Sequence, residues 1–152
     1  MASAVTDVAS IGTAIGAAFV GVQIVLARRQ LTRQFEQRFV DRYDELIARV
    51  PLQLLLGESI EMTPRTERAM YDYFSLCEEQ LYYRRSRKIS RDTWIDWHEG
   101  IAQNMSRKAF QSAWVNLKER SGQFQLLGEA LEVLFSGRFY DPARPASRRR
   151  RL

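Results

Sequence analysis

Twenty consecutive residues without a charge, VASIGTAIGAAFVGVQIVLA at positions 8–27, constrain this chain more than any other feature. Asp7 closes the run on one side and Arg28-Arg29 on the other. At about 1.5 Å per residue, a helix of that length reaches roughly 30 Å, the thickness of a bilayer hydrocarbon core. The run is therefore expected to be a single transmembrane helix. Two alternatives stand beside it. A cleaved secretory signal would begin with a positive segment, whereas MASAVTDV holds an acid and no Lys or Arg. A buried helix of a soluble fold is favoured by Gly12, Gly16, Gly21, Ser10, Thr13 and Gln23, which dilute the hydrophobicity. Arg28, Arg29, Arg33 and Arg38 follow the run closely and nothing basic precedes it. The positive-inside rule then leaves residues 1–7 outside and the rest of the chain in the cytoplasm. Cys77, the single cysteine, would stay reduced there.

Within the run, Gly12 and Gly16 form a GxxxG pair with Ala9 and Ala17 nearby, so a second helix could approach closely. Self-association, or pairing with a partner's helix, is the functional reading. The plain one is that Gly and Ala are common in membrane helices.

Beyond Ala27 the apolar residues Leu31, Phe35, Phe39, Tyr43, Leu46 and Val50 recur at three- and four-residue spacing. This is helical period, so the helix is expected to continue as a juxtamembrane amphipathic segment over residues 28–57, broken near Pro51. Thr63-Pro64 then pairs an N-cap hydroxyl with proline at the first helical position. Met70, Phe74, Cys77 and Leu81 mark the stripe of a helix to about Arg85. Ser90 is a plausible cap for a helix bearing Trp94, Trp97 or His98, and Ile101. Ser106 is expected to cap another with Phe110, Trp114 and Leu117. Gly122 breaks that helix, and Phe124, Leu127, Leu131, Leu134 and Phe135 predict a last one ending at Gly137. No segment shows sustained period-two alternation. The chain reads as all-α: a membrane helix, its amphipathic extension, and a cytoplasmic bundle of about four helices over residues 58–137.

Length bounds the rest. At 152 residues there is room for one domain, and one cysteine excludes a disulfide framework or a cysteine-rich zinc site. Twenty of the 23 basic residues are Arg, which with frequent Ala points to a GC-rich bacterial genome. Six basic residues, Arg138, Arg144 and Arg148 to Arg151, fall in positions 138–152 against one acid, Asp141. Residues 1–137 are formally neutral, so the excess charge of +5 belongs to the tail. With Pro142 and Pro145 among small residues, that tail is expected to be disordered. Arg28, Arg29, Arg33 and Arg148, Arg149, Arg150 and Arg151 are the candidate contacts to anionic membrane lipid, with nucleic acid the weaker alternative.

For chemistry the residues give little. Glu78, Glu79, Asp92, Asp96, His98 and Glu99 form the one cluster of acids and imidazole. A carboxylate-bridged metal site in a bundle uses Glu-x-x-His, whereas Ile95 stands three residues before His98. Glu78 and Glu79 are instead expected to form structural ion pairs with Arg84, Arg85 or Arg107, His98 to lie on a helix surface, and Cys77 to be a small buried hydrophobe. No catalytic, cofactor-binding or metal-ligating residue is assigned, and no small-molecule substrate is identified. An unrecognised enzyme or membrane-acting effector is the alternative to an interaction module.

Residues 73–114, YFSLCEEQLYYRRSRKISRDTWIDWHEGIAQNMSRKAFQSAW, resemble an uncharacterised family of small bacterial single-pass membrane proteins with a cytoplasmic helical domain. The similar features are the acidic pair Glu78-Glu79, the Tyr-rich helix end, the cap Ile89-Ser90 before Trp94, and Phe110 with Trp114. The resemblance implies a fold and a location but no reaction.

Overall fold

The computed structural model describes the backbone of residues 2–58 and 61–144, and the side chains of these from Phe19 onward. Every regular element among the described residues is an α-helix: α1 (Ala2–Ile47), α2 (Leu52–Leu55), α3 (Pro64–Arg85), α4 (Arg91–Met105), α5 (Lys108–Ser121) and α6 (Gln125–Phe135). Contacts group the chain into two compact units, Met1–Phe35 and Glu36–Leu152.

The first unit is helical from Ala2. Phe19, Val20, Val22, Ile24, Val25 and Leu26 are all exposed, as are Arg28, Arg29, Leu31 and Arg33. Among the described residues no helix is long and apolar enough to cross a membrane. Of the span expected at residues 8–27, the side chains up to Ala18 lie outside those described, and so do the surroundings of Gly12 and Gly16.

The second unit is organised around α3. Met70, Phe74, Leu76, Cys77 and Leu81 are fully buried on it, and α5 and α6 pack against it. The spacing four, three, four of Met70, Phe74, Cys77 and Leu81 places them on one face, the expected stripe. Phe74 meets Tyr73, Trp114 and Phe124 at ring-centroid distances of 5.6, 5.3 and 6.3 Å, each edge to face. Such pairs contribute about 0.5–1.5 kcal/mol each beyond their burial. Phe39 and Leu46, from residues 36–47 of α1, and Val50 and Leu54 after it complete the core on another side.

Helix boundaries follow local chemistry. Thr63 caps α3, its Oγ1 accepting from Thr66 N at 3.2 Å with Pro64 at the first position, and Ser90 caps α4 in the same way through Thr93 N. A cap of this kind is worth about 1 kcal/mol. Gly122 ends α5 with φ +60, a left-handed conformation that a Cβ would strain. Two boundaries differ from expectation. Ser106 does not cap α5: it ends α4, its Oγ donating to Gln103 O at 2.7 Å, and Arg107 precedes α5 without a side-chain cap. On α6 the buried residues are Leu126, Leu127, Gly128, Ala130 and Leu131, while Leu134 is half-buried and Phe135 is 55% exposed. The expected stripe thus holds at Phe124, Leu127 and Leu131 and opens to solvent at its end, and Phe124 precedes α6 in a left-handed conformation.

The tail expected over residues 138–152 is corrected for residues 138–144, which are part of the fold. Tyr140 and Asp141 are buried, Trp94 Nε1 donates to Tyr140 O at 2.9 Å, and Tyr140 N donates to His98 Nε2 at 3.2 Å. Arg148 to Arg151 lie outside the described residues.

Candidate functional site

Three carboxylates fix the second unit by reaching across it, and two of them, Glu78 and Glu79, belong to the acidic cluster seen in the sequence. Glu36 accepts from Ser90 N at 2.6 Å and from Thr93 Oγ1 at 2.9 Å, adding a second cap to α4. Glu78 accepts from Leu126 N at 3.0 Å and Leu127 N at 2.7 Å. Phe124 has no side-chain oxygen to cap α6, so Glu78 supplies one from α3, where it also meets the positive end of the helix dipole. The expected ion pair of Glu78 is thus corrected: it holds backbone N–H groups instead. Glu79 is in an ion pair, but with Arg42 rather than Arg84, Arg85 or Arg107.

Arg84 is committed elsewhere. Its Nε and Nη2 donate to Asp141 Oδ1 and Oδ2 at 2.9 and 2.8 Å, and Nη1 donates to Ile89 O at 2.9 Å. Burial pushes the Asp141 carboxyl upward, yet the hydrogen bonds from Arg84 and Ala143 N, with the charges of Arg84 and Arg144, hold it below the usual carboxylate range. His98 is not on an open helix surface. Its ring is half-buried, tilted against Phe139 at 4.6 Å between centroids, and accepts from Tyr140 N. Burial lowers its pKa against a smaller opposing pull from Asp141. These groups are engaged in holding the C-terminal segment, and among the described residues no cluster of three or more His, Cys, Asp or Glu has the arrangement to hold a metal ion.

A cavity of about 320 Å³, mostly apolar in its lining, lies between residues 36–47, α3 and α4. Phe39, Tyr43 and Trp97 line it, with Tyr73, Cys77 and Gln80 from α3. Phe39 and Trp97 stand 5.5 Å apart between ring centroids, and Phe39 also meets Tyr83 edge-on at 5.7 Å. Asp44 and Asp96, both exposed, line the same cavity at its mouth. Tyr73 Oη accepts from Asn104 Nδ2 at 3.0 Å, and its burial raises its pKa well above the ordinary phenol value. Burial pushes the Cys77 thiol up to about 12, so it is a neutral, small apolar surface and not a nucleophile. In the sequence Phe39 and Tyr43 belong to the stripe of the juxtamembrane amphipathic helix, Cys77 to the core stripe of the next helix, and Trp97 or His98 to the one after. No local signal in it brought those residues to one cavity.

No protein-family model matches the chain, and no curated protein or solved structure matches it. Fold and cavity together define an all-α protein with an aromatic, acid-mouthed groove.

Proposed function

We propose that this chain is a membrane-anchored helical interaction module of the bacterial inner membrane, with residues 8–27 spanning the bilayer and the unit Glu36–Leu152 held at its cytoplasmic face. One observation carries this reading. Phe19, Val20, Val22, Ile24, Val25 and Leu26 take up all sides of α1, and each is between 47% and 65% exposed. A helix that is apolar all round needs lipid or other helices against every face. Covering six such side chains is worth roughly 10 kcal/mol at about 1.5–3 kcal/mol each when complete. Arg28, Arg29 and Arg33 follow as exposed cations, suited to anionic headgroups and to an inside-positive orientation. Gly12 and Gly16 then offer a pairing face inside the bilayer, through which the module associates with itself or with a partner's helix.

The test is extraction and topology. After a carbonate wash the protein should stay in the membrane pellet, and a reporter fused after Leu152 should be active only if it is of a cytoplasmic kind. Release into the supernatant overturns the anchor; an active periplasmic phosphatase overturns the orientation. Replacing Gly12 and Gly16 with Leu should weaken a cross-linked dimer without reducing membrane retention.

A further inference from the structure

We infer that the groove between residues 36–47, α3 and α4 is a binding site for a small organic cation, a primary ammonium group carried on an apolar body. The inference goes beyond the anchoring proposed above and does not depend on it. Its volume of about 320 Å³ lies at the lower end of the range for small-molecule sites, roughly 300–1,000 Å³.

Three observations about its lining specify the ligand. The first is Gln80, which is only 5% exposed. Its side-chain amide makes no hydrogen bond to another described residue, yet neither amide atom is fully sealed from solvent. Since Gln80 lines the groove, the groove is where its amide finds an opening. A buried amide left without a protein partner costs about 1–3 kcal/mol unless a ligand or water satisfies it. The amide oxygen suits an N–H donor.

The second observation is charge. Asp44 and Asp96 line the mouth, and neither has an ion pair among the described residues. Other carboxylates of this unit, Glu36, Glu78, Glu79 and Asp141, are engaged. Two free carboxylates beside the aromatic faces of Phe39, Tyr43 and Trp97 favour a cation, because ring quadrupoles attract positive charge in the same sense as the acids.

The third is Gly100. It sits inside α4, where glycine costs about 1 kcal/mol relative to alanine, and it lines the groove. A Cβ placed there would meet nothing within 4 Å, so packing against the protein does not require the glycine. What its missing side chain preserves is open space within the groove.

The experiment uses the full chain in a mild zwitterionic detergent, titrated calorimetrically with 2-phenylethylammonium, with protein-free detergent titrated in parallel. The neutral comparison is 2-phenylethanol, which keeps the ring and a hydrogen-bond donor but removes the charge. The ammonium should bind saturably at one site per chain, about tenfold or more tighter than the alcohol. The double variant Asp44→Asn/Asp96→Asn should lose about tenfold in affinity for the ammonium and little for the alcohol. Gly100→Leu should abolish binding of both by filling the groove, and Gly100→Ala, with unchanged circular dichroism, should keep most of it. Gln80→Leu should weaken the ammonium by about fivefold. Equal binding of the two probes, or an ammonium affinity unchanged by the double Asp variant or by Gly100→Leu, overturns the inference. So does heat that matches the protein-free detergent. A variant with altered circular dichroism is read through the exposed Asp pair, whose replacement leaves the core untouched.

Discussion

Replacing Asp141 should destabilise the second unit more than any other single change to a charged residue. Its carboxylate takes two of the three hydrogen bonds made by the Arg84 guanidinium, and the side chains are 2% and 10% exposed. In Asp141→Ala the guanidinium keeps only Ile89 O at 2.9 Å, and a buried cation is left without its counter-ion. Removing one member of such a pair costs about 3–5 kcal/mol. For a unit of a little over a hundred residues, each kcal/mol moves Tm by about 3–5 °C, so a fall of roughly 10–20 °C follows. Thermal melts of the full chain in mild detergent, followed by circular dichroism, measure it. Hydrogen exchange at Tyr140 N, which donates to His98, should accelerate together with the loss. The double variant Arg84→Met/Asp141→Leu removes both charges at once and should recover at least half of the stability lost by Asp141→Ala. A single variant within about 1 kcal/mol of the parent, or a double variant worse than the single ones combined, would refute the assignment of Arg84 and Asp141 as a mutually dependent clamp.

Glu78→Ala should cost about 1–2 kcal/mol by uncapping α6, and Glu78→Gln less, because one acceptor remains; chemical denaturation distinguishes the three proteins. Cys77, buried and held near pKa 12, should resist alkylation at pH 8 in the folded chain and react promptly in denaturant; mass spectrometry after a timed quench reads both. Acid should weaken the fold in two windows. His98 is kept neutral in the folded state with its pKa below 6.5, so the unfolded chain takes up that proton first and stability falls as pH drops through about 6.5 toward the folded value. Asp141, also held low, contributes stability above the ordinary value of 3.8 that is lost as pH falls below it. In His98→Gln the slope of stability between pH 7 and 5 should flatten while the lower window remains, as urea midpoints across pH would record.

What was legible in the sequence was local. Thr63-Pro64 and Ser90 cap their helices as hydroxyl chemistry requires, and the spacing of Met70, Phe74, Cys77 and Leu81 gives the buried face of α3. What was missed is long-range. Residues 138–144 lie in a stretch rich in Pro and Arg, whose composition dilutes Phe139, Tyr140 and Asp141; their partners His98, Trp94 and Arg84 lie 41 to 57 positions away in sequence. The one local sign was the adjacent aromatic pair Phe139-Tyr140, two residues after Gly137, an uneconomical composition for a solvated tail. Glu78 was assigned a charged partner because charge patterning pairs side chains with side chains. The better sign was the lack of Ser, Thr, Asp or Asn at positions 122–124, which leaves the start of α6 in need of an acceptor from elsewhere.

The acidic residues of this chain divide by what they meet, and that division bears on function. Glu36 and Glu78 meet backbone N–H groups at helix starts, and Asp141 meets a buried guanidinium; each closes a gap that the fold itself creates. Asp44 and Asp96 close none. They line a groove shared with Gln80, whose amide has no protein partner among the described residues, and with a glycine where a helix would favour a larger residue. A fold that satisfies its helix starts with carboxylates from distant helices, yet leaves Gln80 unpartnered and Gly100 uncovered, bears those two costs in one place. The exposed apolar side chains of residues 19–26 are a separate demand, met by lipid or by another helix. Because the groove is built from residues 36–101 alone, loss of helix pairing in Gly12 and Gly16 variants should leave amine affinity unchanged, and filling the groove through Gly100→Leu should leave membrane retention unchanged.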